Sequence, residues 1–540
     1  MIRTVGEFMK KKIVKQLKPI TWFYTILSVV MIILFSMIIV STIFDNRSVV
    51  TSLPFWTILL GTIGVSGILA GVWYLLHKKL KDLTKKQEIW IVSILFLIIL
   101  LIQGFAGYYL FEKPGWDWQI VFENAMEFAR GNSDKVNWGY IQQFPNNVVL
   151  FMLQAVCFKL LYMTHIIPQT YLATLGASVV INIFVIDIAM ILTWLTVRNL
   201  FGKKAGIFSI VIMILCNSFF TFVPILYTDT LALFIPIGIL YVYSCYLKRK
   251  EISWKQGVWY YVLFGVLLFL GVKIKFTCVI MLIAIFMDMV FRRISWKQIG
   301  QMAVSVILTF LICTLLFTGF QKIFFEELNG VSNTPNKVPY THWIMMGLKE
   351  RKSNIPGINF VGAYDASDYV LTFETEPDKR VEKNINEIIK RLKNHGVLGY
   401  SKFLYDKLQF TWNDGNYYGS ALIGESPVRE DNIFRDIYNA RGKYNDILMA
   451  LQDGLSIYSY IMFITVSIYF IKYKKNESHV VLLAIFGLLL FLLLWEANPK
   501  YLLHYVPIFI VAAVYGTYMI ENWLKLKKKG GKIILRREYV

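Results

Sequence analysis

Apolar runs long enough to enter or cross a bilayer recur thirteen times along this chain, near 20–44, 54–76, 89–111, 147–163, 170–197, 205–225, 230–247, 256–272, 276–291, 300–320, 455–471, 478–495 and 502–520. About 20 apolar residues in a helix suffice to span the hydrocarbon, so this recurrence fixes the fold class as an all-α polytopic membrane protein. Composition agrees. The chain is 56% hydrophobic and only 17% charged, against about a quarter charged in soluble domains. Disorder, a coiled coil and a collagen-like fibre are excluded.

The net charge of +21 invites a nucleic-acid reading, and its placement removes it. Seven short stretches beside the apolar runs (1–19, 77–88, 198–204, 248–255, 292–297, 472–477 and 521–540) hold 31 Lys/Arg against 7 Asp/Glu, leaving 25 against 28 elsewhere. Basicity confined to short loops abutting spans reports topology. The five cysteines (Cys157, Cys216, Cys245, Cys278 and Cys313) lie in apolar runs without metal or framework spacing, and no His-x-x-x-His pair occurs among the six histidines. The basic N-terminal stretch precedes an apolar run of about 24 residues, too long for a signal-peptide core, so a retained anchor is expected.

Alternating the runs against the basic loops works at both ends of the chain, but thirteen crossings leave the Lys-rich tail on the wrong side. The discrepancy lies between Asn147 and Arg198. Either 147–163 does not cross fully, or 166–200 crosses twice, breaking near Asn182–Asp187. An acid such as Asp187 in mid-membrane is costly and usually faces protein or a polar cavity. With either repair, the loops 115–146 and 322–453 share the outer face with the turns around Thr228, Lys273 and Asn498. The termini are then cytoplasmic and the loops extracytoplasmic.

The loop 321–454 has nearly balanced charge and no cysteine. Its stretch 381–394 reads as a helix with Ile385, Ile388, Ile389 and Leu392 on one stripe and Gly396 just past its end. A lid over the bundle is expected rather than a separate large domain. In the first outer loop, Trp116-Asp117-Trp118 opens an amphipathic stretch with Val121, Phe122, Ala125 and Phe128 on one face and Glu123 and Glu127 on the other, suited to the interface.

Five outward elements sit at the ends of apolar runs: Trp116-Asp117-Trp118, Gln143-Phe144-Pro145-Asn146-Asn147, Tyr227-Thr228-Asp229, Lys273 with Lys275, and Trp495-Glu496-Ala497-Asn498-Pro499-Lys500-Tyr501. If the bundle joins them, carboxylates, cations and amides meet at one membrane face. A carboxylate there can take a proton from an attacking hydroxyl, and Lys or Tyr can hold a departing phosphate. Plainer roles stand beside these. Trp118 and Tyr501 fit an interfacial aromatic belt, Lys273, Lys275 and Lys500 fit snorkelling cations, and Asp229 fits a helix-dipole partner. Three lysines on the outer face nevertheless run against the positive-inside trend.

The order of these pieces resembles the GT-C class of membrane glycosyltransferases, which use polyprenyl-phosphate-linked sugars. The resemblance covers about 89–520 and rests on Asp117, Phe144-Pro-Asn-Asn, Arg198-Asn-Leu-Phe-Gly-Lys-Lys, Tyr227-Thr-Asp, Lys273–Phe276 and Trp495-Glu…Lys500-Tyr501. In the outer loop, Thr341-His-Trp-Ile-Met-Met-Gly-Leu, Gly362-Ala-Tyr-Asp365 and Trp412-Asn-Asp-Gly415 look like those of bacterial members. Where the class often has Arg-Tyr, this chain has Lys500-Tyr501, keeping the charge without the bidentate fork. The resemblance implies a bundle of about 12–14 transmembrane helices with its site on the extracytoplasmic face. It implies Asp117 as general base, with Asp229, Tyr227, Asn146, Asn147 and Glu496 positioning acceptor or donor. Lys273, Lys275, Lys500 and Tyr501 would bind the lipid phosphate. The class often inverts the anomeric centre. Some relatives hold a divalent cation on Asp-x-Asp; Trp-Asp-Trp has a single Asp, so no cofactor and no obligatory metal is expected, with a divalent cation as the alternative.

The expected division is 1–88 (tail and two extra spans), 89–320 (core with the catalytic outer loop 112–146), 321–454 (loop domain), 455–520 (last spans) and 521–540 (basic tail). The expected partners are the membrane, a polyprenyl-phosphate sugar, and an envelope glycan or protein acceptor, at the cell membrane and without nucleic acid. No glycine-rich phosphate loop or cytoplasmic stretch long enough for a nucleotide-binding domain is present, which favours a donor already in the lipid. A transporter or flippase of lipid-linked glycans, or a related glycan polymerase, is the alternative.

Overall fold

A computed structural model describes residues 2–45, 53–80, 83–249, 254–292, 294–328, 336–352, 359–424, 426–429, 432–473 and 479–528. The basic tail beyond Lys528 lies outside them, as do parts of the loops 77–88, 248–255, 292–297 and 472–477. Among the described residues, ten helices are long and apolar enough to cross a membrane, and Phe276–Phe291 and Val480–Leu494 are shorter apolar helices. The chain is an all-α polytopic membrane protein. Helices close their own backbone hydrogen bonds, as a lipid solvent requires. The one described sheet is a two-stranded antiparallel pair, Glu350–Lys352 with Asn359–Val361, in the long loop.

Two faces are defined by side chains that tie helix ends together. On the basic face, His77 meets Glu521 at 3.3 Å and Glu88 pairs with Arg198. There too, Asn199 binds Ser244 and Lys248, and Asp288 accepts from Arg292 and Tyr243 at 2.7 Å. On the opposite face, Ser41 and Thr42 reach Asn413, Arg435 reaches Glu112 at 2.5 Å, and Lys275 pairs with Asp229.

The parity discrepancy is resolved by the helix Val148–Met163. The following helix, Tyr171–Phe201, runs unbroken for 31 residues, so 166–200 crosses once. Val148–Met163 has the length of a span, yet both its ends lie at the face opposite the basic loops. Asn147 binds Tyr140 at its start, and Tyr162 meets Thr174 at its end, at 2.5 Å. Along its length it packs on the outer helix Trp116–Ala129, with Phe158 beside Phe122 and Phe151 beside Phe128. It therefore lies along the face. The remaining twelve crossings return both ends of the described chain to the basic face.

The expected span 205–225 is also broken. Its helix, Lys203–Leu215, ends after 13 residues, and the rest reaches the site face through short turns. Irregular backbone at membrane depth survives only where protein satisfies it. Asn182 donates to the carbonyls of Phe222 and Val223 at 2.8 and 2.9 Å. Gln452 accepts from Asn217 N and donates to Leu215 O. Asn182 thus stabilises a neighbouring break and does not mark one of its own. Asp187 is partly buried and lies near Gln103 of the helix Lys85–Tyr109.

The first two helices, Ile2–Phe44 and Phe55–Lys79, pack on Asn445–Tyr473. A Cβ at Gly61 would come within 2.2 Å of the Ala450 carbonyl oxygen, and Phe35 sits among Trp412, Tyr460 and Phe463. In the long loop, the helix expected over 381–394 forms and breaks at Gly396, whose φ of 59° suits glycine. The chain then resumes as a helix to Trp412, which is buried in the bundle.

Candidate functional site

The outer ends of several spans meet at the face opposite the basic loops. The helix Pro499–Tyr505 and the turn Phe276–Cys278 are locked together, because Thr277 Oγ1 meets His504 Nε2 at 2.7 Å and Tyr505 OH donates to Thr277 O. This brings Lys275 and Lys500 to one place. The Lys275 ammonium pairs with the buried Asp229 and stands 4.7 Å from the centre of the Tyr501 ring. Lys500 differs. No carboxylate among the described residues lies within ion-pair distance of it, and its ammonium rests 4.2 Å over Trp116 and 5.9 Å from both Tyr227 and Tyr501. Cation–π contacts hold such a charge in place without neutralising it.

Trp116 also carries backbone strain. Its φ of 45° is costly for a bulky residue, on the order of 1–3 kcal/mol. The ring is held edge-on against Tyr227 at 4.9 Å and beneath Lys500. The next residue is Asp117, in the first turn of Trp116–Ala129 and exposed. A hydrogen-bond chain runs close to it. Asn146 Nδ2 donates to Asn147 Oδ1 at 3.1 Å, and Asn147 Nδ2 donates to the Tyr140 oxygen at 3.0 Å. Tyr140 lies close enough to Asp117 for its phenol to feel that carboxylate. Burial, with the charges of Tyr227 and Asp117, pushes the Tyr140 phenol far above its usual range, so it stays protonated.

Glu496 completes the group. It accepts from Tyr501 OH at 3.0 Å. Burial pushes its carboxyl up to about 7, opposed by Lys500 and the Tyr501 hydrogen bond, while Asp117 adds to the rise. The turn bearing Glu496 is clasped by the long loop. Lys407, fully buried on the helix Arg380–Trp412, donates to Gly347 O, Leu493 O and Trp495 O at 2.6, 3.1 and 2.6 Å. Ala497 N donates to Gly362 O at 2.6 Å. Gly347 and Gly362 have no room for a Cβ, since Trp495 backbone and Lys407 atoms would lie 2.5–2.8 Å away. Burial pulls the Lys407 ammonium down to about 7, and nearby Glu496 opposes the fall.

Of the residues expected at the site, Asp117, Asn147, Tyr227, Asp229, Lys275, Glu496, Lys500 and Tyr501 are brought together, and exposed Asn146 supports them through Asn147. Lys273 is not. It points to Phe317 of the helix Trp296–Phe324, 5.4 Å from that ring. Helical geometry separates the two lysines, because the helix ends at Ile274 and Lys275 turns to extended backbone with φ −154°. Arg198 and Lys203 lie at the far face on Glu88. Tyr140, Tyr364 and Lys407 are additional. Tyr364 stands inside the Gly362-Ala-Tyr-Asp365 motif, which is the signal that marks it.

A family described as conserved hypothetical integral membrane protein matches residues 12–519. The chain belongs to that family. The match takes in the first two helices as well as the site and the long loop. No curated protein and no solved structure matches the chain.

Proposed function

We propose that this membrane protein is a glycosyltransferase that moves a sugar from a polyprenyl-phosphate-linked donor to an acceptor hydroxyl on the face opposite its basic loops. That face is extracytoplasmic by the positive-inside rule. The observation that carries the reading is an exposed carboxylate, Asp117, next in the chain to Trp116, whose ring carries the Lys500 ammonium, a cation with no ion-pair partner among the described residues. In the proposed step the acceptor oxygen bonds to the anomeric carbon while the bond from that carbon to the phosphate oxygen breaks. The departing electron pair stays on the phosphate, facing Lys500. The hydroxyl proton passes to Asp117. The Asn146–Asn147–Tyr140 chain lies beside the Asp117 carboxylate, and Asp229 holds Lys275 beside Tyr501. Attack on the face opposite the phosphate inverts the anomeric centre.

The test is mass spectrometry of envelope glycans from cells lacking the gene and cells carrying wild type or Asp117→Asn at matched membrane abundance. The reading expects one glycan to disappear in the first and to return with wild type alone. Full restoration by Asp117→Asn removes Asp117 as the base.

A further inference from the structure

An amphipathic helix on a soluble domain buries its apolar stripe. The first half of Arg380–Trp412, up to the break at Gly396, is turned the other way. The face it lays on the protein is largely polar. Asn384 accepts from Thr372 Oγ1 at 3.1 Å, Arg391 donates to Met345 O and to Asp368, both at 2.7 Å, and Arg380 is buried. Val381, Ile385, Ile389 and Leu392 share a stripe and stand exposed. Past the break, Val397 and Leu398 are 85% and 86% exposed, more than any other large apolar side chain among the described residues. Exposed apolar surface of this extent marks contact with a protein or a membrane.

Helix lengths give the depth of this tip. Tyr473, which shares Lys472 with Trp523, belongs to the interface on the basic face. Tyr460 lies 13 residues before it on the same helix, about 20 Å away, and its hydroxyl donates to Trp412 O at 2.8 Å. From Trp412 to Leu398 is 14 residues, at most about 21 Å. Together these reach about 41 Å, within the roughly 40–45 Å of a bilayer with its head groups. Tilt brings the tip deeper.

Charge selects the occupant. No acid occurs from 388 to 405, and Lys390, Lys393 and Lys402 are exposed there. Glu387 is taken by Lys390 and Arg391 at 3.3 and 3.0 Å, whereas Lys393 and Lys402 make no ion pair among the described residues. In a two-fold contact between copies this patch would meet itself, cation against cation. Phosphate head groups supply the opposite charge, and the acyl boundary beneath them takes the apolar side chains.

We propose that 381–402 is an interfacial anchor that holds the long loop on the bilayer. Val397, Leu398 and the exposed stripe behind them enter the leaflet on the site face, and Lys393 and Lys402 bind anionic phospholipid head groups. The anchor does not depend on glycosyl transfer.

The test puts benzoylphenylalanine in place of Leu398 in the full chain, in nanodiscs of equal phosphatidylglycerol and phosphatidylcholine, and identifies the photoadducts by mass spectrometry. Phospholipid should be the main adduct, with phosphatidylglycerol favoured at least about fivefold, the effect of one Lys at an anionic surface. Lys393→Gln/Lys402→Gln should bring that preference below about twofold with thermal unfolding unchanged. A cross-linked second copy in place of lipid, or no lipid adduct, overturns the proposal. So does equal capture of the two lipids by the probe on an otherwise wild-type chain. Repeated in native membranes, capture of another protein instead of lipid does the same.

Discussion

The basic face closes its charges, whereas the opposite face leaves some open beside closed pairs such as Arg435–Glu112 and Lys275–Asp229. On the basic face the acids described above are answered: buried Glu88 by Arg198 and Lys203, Asp288 by Arg292 and Tyr243, and Glu521 by His77. On the other face Asp117 is exposed beside Tyr140, Glu496 is buried against Tyr501, and Lys500 rests on aromatic rings. Closed pairs hold helix ends in register and gain nothing from a ligand. Open groups, fixed in place by rings and amides, have interactions still to make, which a substrate supplies in the proposed transfer.

The largest effect expected is at Asp117. Asp117→Asn should lower transfer by about 10²–10⁴, the span of general-base contributions, with thermal stability unchanged. A matching fall in stability would erase the contrast between the faces. Glu88→Gln should do the opposite. It strands Arg198 in a part-buried place at a cost of about 2–3 kcal/mol, less than for a fully buried pair because the Arg198 side chain is 31% exposed. The readout is thermal unfolding in detergent, with activity per folded molecule preserved. Next comes the long loop. Burial pulls the His342 imidazole down to about 4 in the folded protein, below its ordinary 6.5, so the unfolded loop binds the extra proton between those values. Its contribution is fully present above about pH 6.5 and is lost as pH falls towards 4, for a total of about 3 kcal/mol. Hydrogen exchange of residues 340–352 and 359–373 should accelerate over that window, and His342→Gln should flatten the change. The smallest effect is at Lys500. Lys500→Gln should weaken undecaprenyl phosphate binding about tenfold at constant stability, whereas an equal loss of stability would make it another closed contact.

The fold class and most of this site were legible because each functional piece ends an apolar run, and a bundle gathers run ends onto one of two faces. Polarity alone did not separate Lys273 from Lys275; the end of the helix at Ile274 does. Nor did it reveal that Val148–Met163 lies along a face, since its composition suits a span and only its neighbours Phe122, Tyr140 and Thr174 show otherwise. Lys407 reads in sequence as one more solvated charge on an amphipathic helix. Its burial depends on Gly347 and Trp495, 60 and 88 positions away. Tyr364 follows no period, because its place is set by a loop.

The central claim is tested most directly by supplying the donor itself. Wild-type protein in liposomes, given radiolabelled polyprenyl-phosphate sugars and an envelope glycan extract, should move label from lipid to glycan with inversion at the anomeric carbon. Label that stays on the lipid with every donor, or that reaches glycan only from a nucleotide sugar, contradicts the account.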